Sequence, residues 1–236
     1  MSDKDRLRKQ RAGTIINMTS KKQEGRLGDA LRSVAERLLD EFNIRLEHDP
    51  QWFLRDVVAT LRTKHEGVEF DYHFARSSMR PDGGILNIVN TDGEKFPILI
   101  TEVKNQGTND LRAEEGMAKQ AKGNAIERLG KNVIGFRTAC LHEAIFPFVC
   151  FGDGCDFADD SSILDRVTTI SMFGELNKIR VHREGGGGEF NRGSFFFREK
   201  LWTPPEMTKI MYEIAEKSVY YYFSKYGKEQ FDVPPG

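Results

Sequence analysis

Two apolar runs joined by a turn constrain this chain more than any other feature. They are Ile85-Leu86-Asn87-Ile88-Val89 and Phe96 to Ile100, with Asn90-Thr91-Asp92-Gly93 between them. Short apolar runs bracketed by turn-forming residues read as the two antiparallel strands of a hairpin. Pro81-Asp82-Gly83-Gly84 precedes the first run, and Thr101-Glu102-Val103-Lys104 extends the second. Closing the hairpin brings Asp82 and Glu102 together, and both acids are expected on adjacent strands of one sheet. Glu102 and Lys104 are two residues apart and share a face of their strand, whereas Val103 points into the opposite, apolar one.

Those residue types have a chemical logic. Asp82 and Glu102 can hold Mg²⁺ through oxygen, with the Val103 carbonyl as a third ligand, because Mg²⁺ keeps several waters and takes one or two carboxylates plus substrate phosphate. A cation there lowers the pKa of an attacking water, and the Lys104 ammonium stabilises charge developing on a phosphate. The pattern therefore points to metal-dependent phosphodiester cleavage. In a chain with 30% charged residues, short acidic and Glu-x-Lys matches also arise on surface strands with a cross-strand ion pair.

A second feature lies downstream. Gly123-Asn124-Ala125-Ile126-Glu127-Arg128, approached through Gln120-Ala121-Lys122, joins small residues to groups that can address base edges. Asn pairs bidentately with adenine, Glu accepts from an exocyclic amine, and Arg donates to purine acceptors in the major groove. An extended segment leading into a helix presents them at the helix N-terminus, where the dipole favours phosphate. The same residues also read as a plain helix start, with Asn124 as cap and Glu127 completing a capping box.

With these blocks in view, the chain resembles the EcoRI-type restriction endonucleases of the PD-(D/E)xK superfamily. The resemblance rests on Ser77 to Ile85, on Thr101 to Gly107, and on Gly123 to Arg128 with Lys131-Asn132 just after. Weaker stretches continue it through Phe146 to Val149, Asp165 to Thr168 and the segment from Trp202. It implies an α/β fold with a restriction-endonuclease-like core, a mixed β-sheet flanked by α-helices. It also implies a homodimer cutting both strands of a short palindromic double-stranded DNA site containing AATT, dependent on Mg²⁺ and leaving 5′-phosphates, with a companion DNA methyltransferase in the host. Asp82, Glu102 and Lys104 become catalytic, and Asp82, Glu102 and Val103 metal-holding. Gln106 sits beside the site, and Asn124, Ala125, Glu127 and Arg128 read the central bases. Arg80, Lys131 and Asn132 become phosphate contacts, which position without specifying.

The chain departs from that family in two places. Gln120, Ala121 and Lys122 stand where the family has apolar and small residues, so the outer base pairs differ or are read loosely, with Gly123 allowing close approach. Near Arg166, a candidate reader, Ile163 replaces a second arginine. Arg166 reads equally as one half of an ion pair flanking the core. Two other functions fit the sequence: a repair or structure-selective nuclease on the same catalytic strands, or a non-catalytic DNA-binding protein.

A formal net charge of −1 argues against a nonspecific polyanion binder yet permits a local basic groove. At 236 residues the chain can bury about 70% of its unfolded surface without disulfides or structural metal. Cys140, Cys150 and Cys155 are odd in number and lack zinc spacing, which suits reduced thiols. No long apolar run or leader pattern appears, so the expectation is a soluble cytoplasmic protein.

Residues 1–25 read as a basic, mobile arm, and residues 26–236 as one catalytic and DNA-recognition domain. Leu27, Leu31, Val34, Leu38, Leu39 and Phe42 follow helical spacing. Trp52 to Arg62 reads as helix, Phe70 to Phe74 as strand, 126–143 as helix and Phe146 to Phe151 as a buried strand. Strand, helix, strand in that order predicts a parallel crossover attached to the hairpin. His65 and His73 have no partner motif and are read as surface groups. Gly185 to Gly188 reads as a mobile loop, followed by a strand at Phe195-Phe196-Phe197. Thr203, Pro204 and Glu206 open a final helix, whose apolar face is Met207, Ile210, Met211, Ile214 and Val219, widened by Tyr220 to Phe223.

Overall fold

Period-two alternation along the strands sorts the apolar residues onto two faces of a central sheet, and helices cover each face. The computed structural model describes residues 15–64, 71–105, 116, 124–154, 157–158, 161–171, 175–182 and 192–233. Along the chain run α1 (Ile15–Phe42), β1 (Arg45–Asp49), β2 (Trp52–Phe53), α2 (Leu54–Lys64), β3 (Ser78–Met79), β4 (Ile85–Val89) and β5 (Lys95–Asn105). There follow α3 (Asn124–Ala139), β6 (Phe148–Asp153), α4 (Ser162–Ser171), β7 (Ser194–Arg198) and α5 (Pro204–Tyr226). The main sheet has the order β1-β4-β5-β6-β7, and β2 and β3 form a separate ribbon. β1, β4 and β5 pair antiparallel, whereas β5, β6 and β7 run parallel. The expected hairpin with an attached crossover is therefore present, and α4 provides a second crossover.

Val149, Phe151 and Phe196 point to one side, where they meet Leu27, Val34 and Leu38 of α1 and Met207, Met211 and Ile214 of α5. Phe148, Cys150, Phe195 and Phe197 point to the other, against Leu129, Val133 and Phe136 of α3 and Ile163 and Val167 of α4. Each such side chain contributes about 1.5–3 kcal/mol on burial, which fixes the sheet between its two helical layers. α5 opens as its capping residues predict, with Thr203 N–H donating to the Glu206 carboxylate at 3.0 Å. Its apolar stripe is buried except for Ile210, which is half-buried. Of the aromatic run, Tyr222 is buried and Tyr220 is exposed.

Several expected boundaries move. α1 begins at Ile15, so residues 15–25 of the anticipated arm are helical, and Gln23 is buried. Residues 1–14 lie outside the described residues. Leu39 is exposed, because Leu38 already fills the α1 stripe at that level. Trp52 and Phe53 pair with Ser78 and Met79, and this delays α2 to Leu54. Residues 71–74 form no strand; His73 is exposed there, and His65 lies outside the described residues. α3 stops at Ala139, where Cys140 N–H donates back to Phe136 O at 3.1 Å and turns follow. Pro97 sits in β5 beside a step in the β4 pairing at Leu86/Asn87, and such irregularities are where strands accommodate proline. Cys155 and the Gly185 to Gly188 segment are outside the described residues. No described helix is long and apolar enough to cross a membrane.

Candidate active site

β5 outruns its antiparallel neighbour. β4 pairs with it only as far as Ile100, so from Thr101 onward one edge of β5 is left for something else to fill. The Pro81 to Gly84 turn fills it: Gly83 N–H donates to Thr101 O at 3.0 Å, and Thr101 N–H donates to Gly84 O at 3.2 Å. A Cβ on Gly83 would stand 2.1 Å from Thr101 Oγ1 and 2.7 Å from Leu27 Cδ2, and Gly84 has φ +76°. Only glycine lets the turn approach this closely.

Asp82 consequently lies in a turn, a correction to the expectation of two acids on adjacent strands. The next backbone N–H on that edge, Val103, donates to Asp82 Oδ2 at 3.2 Å. Asp82 N–H in turn donates to Glu102 Oε2 at 3.1 Å. The two acids are thus locked together through main-chain donors.

Lys104 completes the cluster. Its ammonium donates to Asp82 Oδ2 at 3.1 Å, to Glu102 Oε1 at 2.5 Å and to Val103 O at 3.0 Å. Three oxygens thereby converge on one cation, and they are the same three expected to hold Mg²⁺. Hard oxygen donors, two of them anionic, suit Mg²⁺ rather than a nitrogen- and sulfur-bound metal. No group of three or more His, Cys, Asp or Glu side chains suited to a metal occurs among the described residues; the cluster here is a mixed carboxylate and carbonyl set. Two carboxylates against one ammonium leave the cluster a net negative charge, which favours a further cation.

Burial shapes the electrostatics. The Glu102 side chain is 2% exposed, against 31% for Asp82. Desolvation pushes the Glu102 carboxyl above the ordinary carboxylate range, with the Lys104 ammonium opposing it. Burial works against the Lys104 charge, but Glu102 and its acidic neighbours outweigh it and hold the ammonium above its ordinary value. Cys150, opposite Glu102 in register, is a buried thiol pushed well up by desolvation, so it stays neutral beside the carboxylate.

Three supports escaped the sequence reading. Gln23 of α1 donates to Lys104 O at 3.2 Å, holding the end of β5 from a residue 81 positions earlier. Arg26 reaches the buried Asp153 at 3.6 Å, and a His48 ring nitrogen lies 2.9 Å from Gly83 O, beneath the turn. No local pattern marks any of them; only the path of α1 and β1 across the sheet brings them in.

The remaining candidates separate. Asn132 does not stand apart on the surface: its Nδ2 donates to Glu102 Oε1 at 3.1 Å. Glu127, Arg128 and Lys131 are exposed on α3, and Arg166 is exposed on α4, which packs on α3 through Ile163 and Val167. Arg80 is exposed and lines a cavity of about 440 Å³ that also touches Asp82, Arg32 and His48. Asn124 and Ala125 belong to the first turn of α3. Gln106, Gln120, Ala121, Lys122 and Gly123 lie outside the described residues.

A mixed sheet covered by helices on both faces, ending in two acids, a carbonyl and an ammonium at one point, has the parts of a metal-assisted phosphodiester hydrolase. The family model described as restriction endonuclease EcoRI matches residues 9–229, and the chain belongs to that family. Type II restriction enzyme RsrI of Cereibacter sphaeroides is 33% identical over 177 residues, covering 61% of this chain and 64% of that protein. Type II restriction enzyme EcoRI of Escherichia coli is 33% identical over 100 residues, covering 39% of this chain and 36% of that protein. The matches thus span less than two thirds of either relative.

Proposed function

We propose that this protein is a type II restriction endonuclease that hydrolyses phosphodiester bonds in both strands of a short palindromic DNA site containing AATT. The observation that carries the reading is the convergence of Asp82 Oδ2, Glu102 Oε1 and Val103 O on one cation, in a chain whose family membership extends over nearly its whole length. Asp82, Glu102 and the Val103 carbonyl would hold Mg²⁺, which when bound would supply Lewis-acid charge at a phosphoryl oxygen and lower the pKa of an attacking water.

The chain's own groups do the rest. Asp82 and Glu102 orient each other through Asp82 N–H. Lys104, on the same strand face as Glu102, offers its ammonium to the charge that develops on the phosphate. Val103 fixes the depth of the strand by burying its side chain in the opposite core.

Reading of bases falls to the front of α3. Asn124, Ala125, Glu127 and Arg128 address the central base pairs as the family resemblance implies, and Gln120, Ala121, Lys122 and Gly123 approach the outer pair. Arg166 contributes from α4. Arg80 and Lys131 meet phosphates, and the family resemblance assigns Gln106 a role beside the attacked bond. A palindrome has two-fold symmetry, so one set of readers per half-site needs a second copy of this chain. A cutter of this kind implies a companion methyltransferase that protects host DNA.

Digestion of a plasmid of known sequence with Mg²⁺, followed by mapping of the ends, tests the proposal. Fragments should end in 5′-phosphates within AATT-containing palindromes. Glu102→Gln should bind the same duplex and leave it uncut; retained cutting would remove Glu102 from the site.

A further inference from the structure

Glu102 receives three donors. Lys104 Nζ and Asn132 Nδ2 both reach Oε1, and Asp82 N–H reaches Oε2. Two of these belong to the metal-holding cluster itself, while Asn132 arrives from α3. The family resemblance makes Asn132 a phosphate contact, but its amide is turned inward to the carboxylate. On the same helix, Arg128 lies one turn ahead of Asn132 and shares its face. Glu127 and Arg128 are exposed at the front of α3, and Ile126, Leu129, Val133 and Phe136 pack it against the sheet. This packing makes the helix front and Asn132 parts of one continuous element held against the sheet.

We propose that Asn132 is a positioning residue that ties α3 to the Glu102 carboxylate, so that engagement of DNA by the helix front sets the orientation of the metal-holding group. The inference rests on the DNA-cutting function proposed above. Hydrogen bonds to a ligating carboxylate from outside the metal's own ligands orient it, and their loss typically costs roughly 10–100-fold in metal affinity or activity. A phosphate contact behaves differently, weakening DNA binding about uniformly across sequences and lowering its salt dependence.

The test compares Asn132→Ala and Asn132→Gln with the unaltered protein. Duplex affinity and its salt dependence are measured without divalent ions, single-turnover cleavage is measured at saturating DNA across Mg²⁺ concentrations, and Ca²⁺ binding to the DNA-free protein is measured by calorimetry. Asn132→Ala should keep its duplex affinity, lose about 10–100-fold in saturated rate and bind Ca²⁺ more weakly. Its preference for the cognate site over one with a single changed base should narrow. Asn132→Gln, which keeps the amide, should recover part of each loss. Weaker duplex binding with a reduced salt slope and an unchanged saturated rate would overturn the proposal in favour of a phosphate contact. Should the unaltered protein cut no AATT site, the functional reading fails by itself. Calorimetry then decides the Asn132 role alone: weakened Ca²⁺ binding supports it and unchanged binding refutes it.

Discussion

Gly83→Ala tests how the active site is held together. The added Cβ would lie 2.1 Å from Thr101 Oγ1 and 2.7 Å from Leu27 Cδ2, and opening the first approach to an ordinary 3.4 Å contact needs about 1.3 Å of movement. Leu27 is fully buried in the α1 and α5 core, so the turn is the part that yields. Overpacking of this kind costs roughly 1–3 kcal/mol. At about 2–4 °C per kcal/mol for a chain of this size, the melting temperature should fall by roughly 2–12 °C.

Activity should suffer far more. The moving turn carries Asp82, whose Oδ2 is fixed by Val103 N–H at 3.2 Å and Lys104 Nζ at 3.1 Å. Misplacement by about 1 Å can cost on the order of 100-fold in rate. Melting followed by circular dichroism and single-turnover cleavage of duplex DNA would measure the two effects separately. Thr101 Oγ1 is buried without a hydrogen-bond partner among the described residues. Adding Thr101→Ala to Gly83→Ala therefore relieves the closer clash with no hydrogen bond lost, and should recover much of the rate. A Gly83→Ala protein with unchanged rate and melting temperature would refute the claim that the glycine sets the position of Asp82.

Two further outcomes follow from burial. In the proposed site Glu102 would hold a metal only as the carboxylate, and desolvation raises its pKa, so protons would compete with the metal at a higher pH than for an exposed acid. Ca²⁺ affinity of the DNA-free protein, measured by calorimetry as the pH is lowered from neutral, should weaken toward the acid end; affinity that holds until an exposed carboxylate would titrate would contradict the raised carboxyl. Cys140 and Cys150 are free and buried, the first pushed up to about 12 by desolvation. Both should resist iodoacetamide in the folded protein near neutral pH and react after denaturation, as read by peptide mass spectrometry.

Local rules made some of this protein legible. Strand alternation put Glu102 and Lys104 on one face with Val103 on the other, because period two needs only the strand itself. The hairpin, the parallel crossover and the opening of α5 follow from turn residues, apolar runs and a capping pair, all of which act over a few positions. The boundaries that moved did so where partners distant in sequence intervened: Ser78 and Met79 drew Trp52 and Phe53 out of the helix they resemble.

Determined by the sequence alone were the two acids, the ammonium two residues beyond the second of them, and the helix carrying groups suited to base edges. Left to the tertiary structure were the docking of the Asp82 turn on the exposed edge of β5, the inward turn of Asn132 and the use of Gln23 to hold Lys104 O. Gln23 belongs to a polar stretch that reads as a loose arm. It becomes part of the site only because α1 crosses the end of β5 and a partly buried carbonyl there takes a donor. Hydrogen bonds between residues tens of positions apart leave no periodic trace in the chain, and the packed sheet alone decides which of them can form.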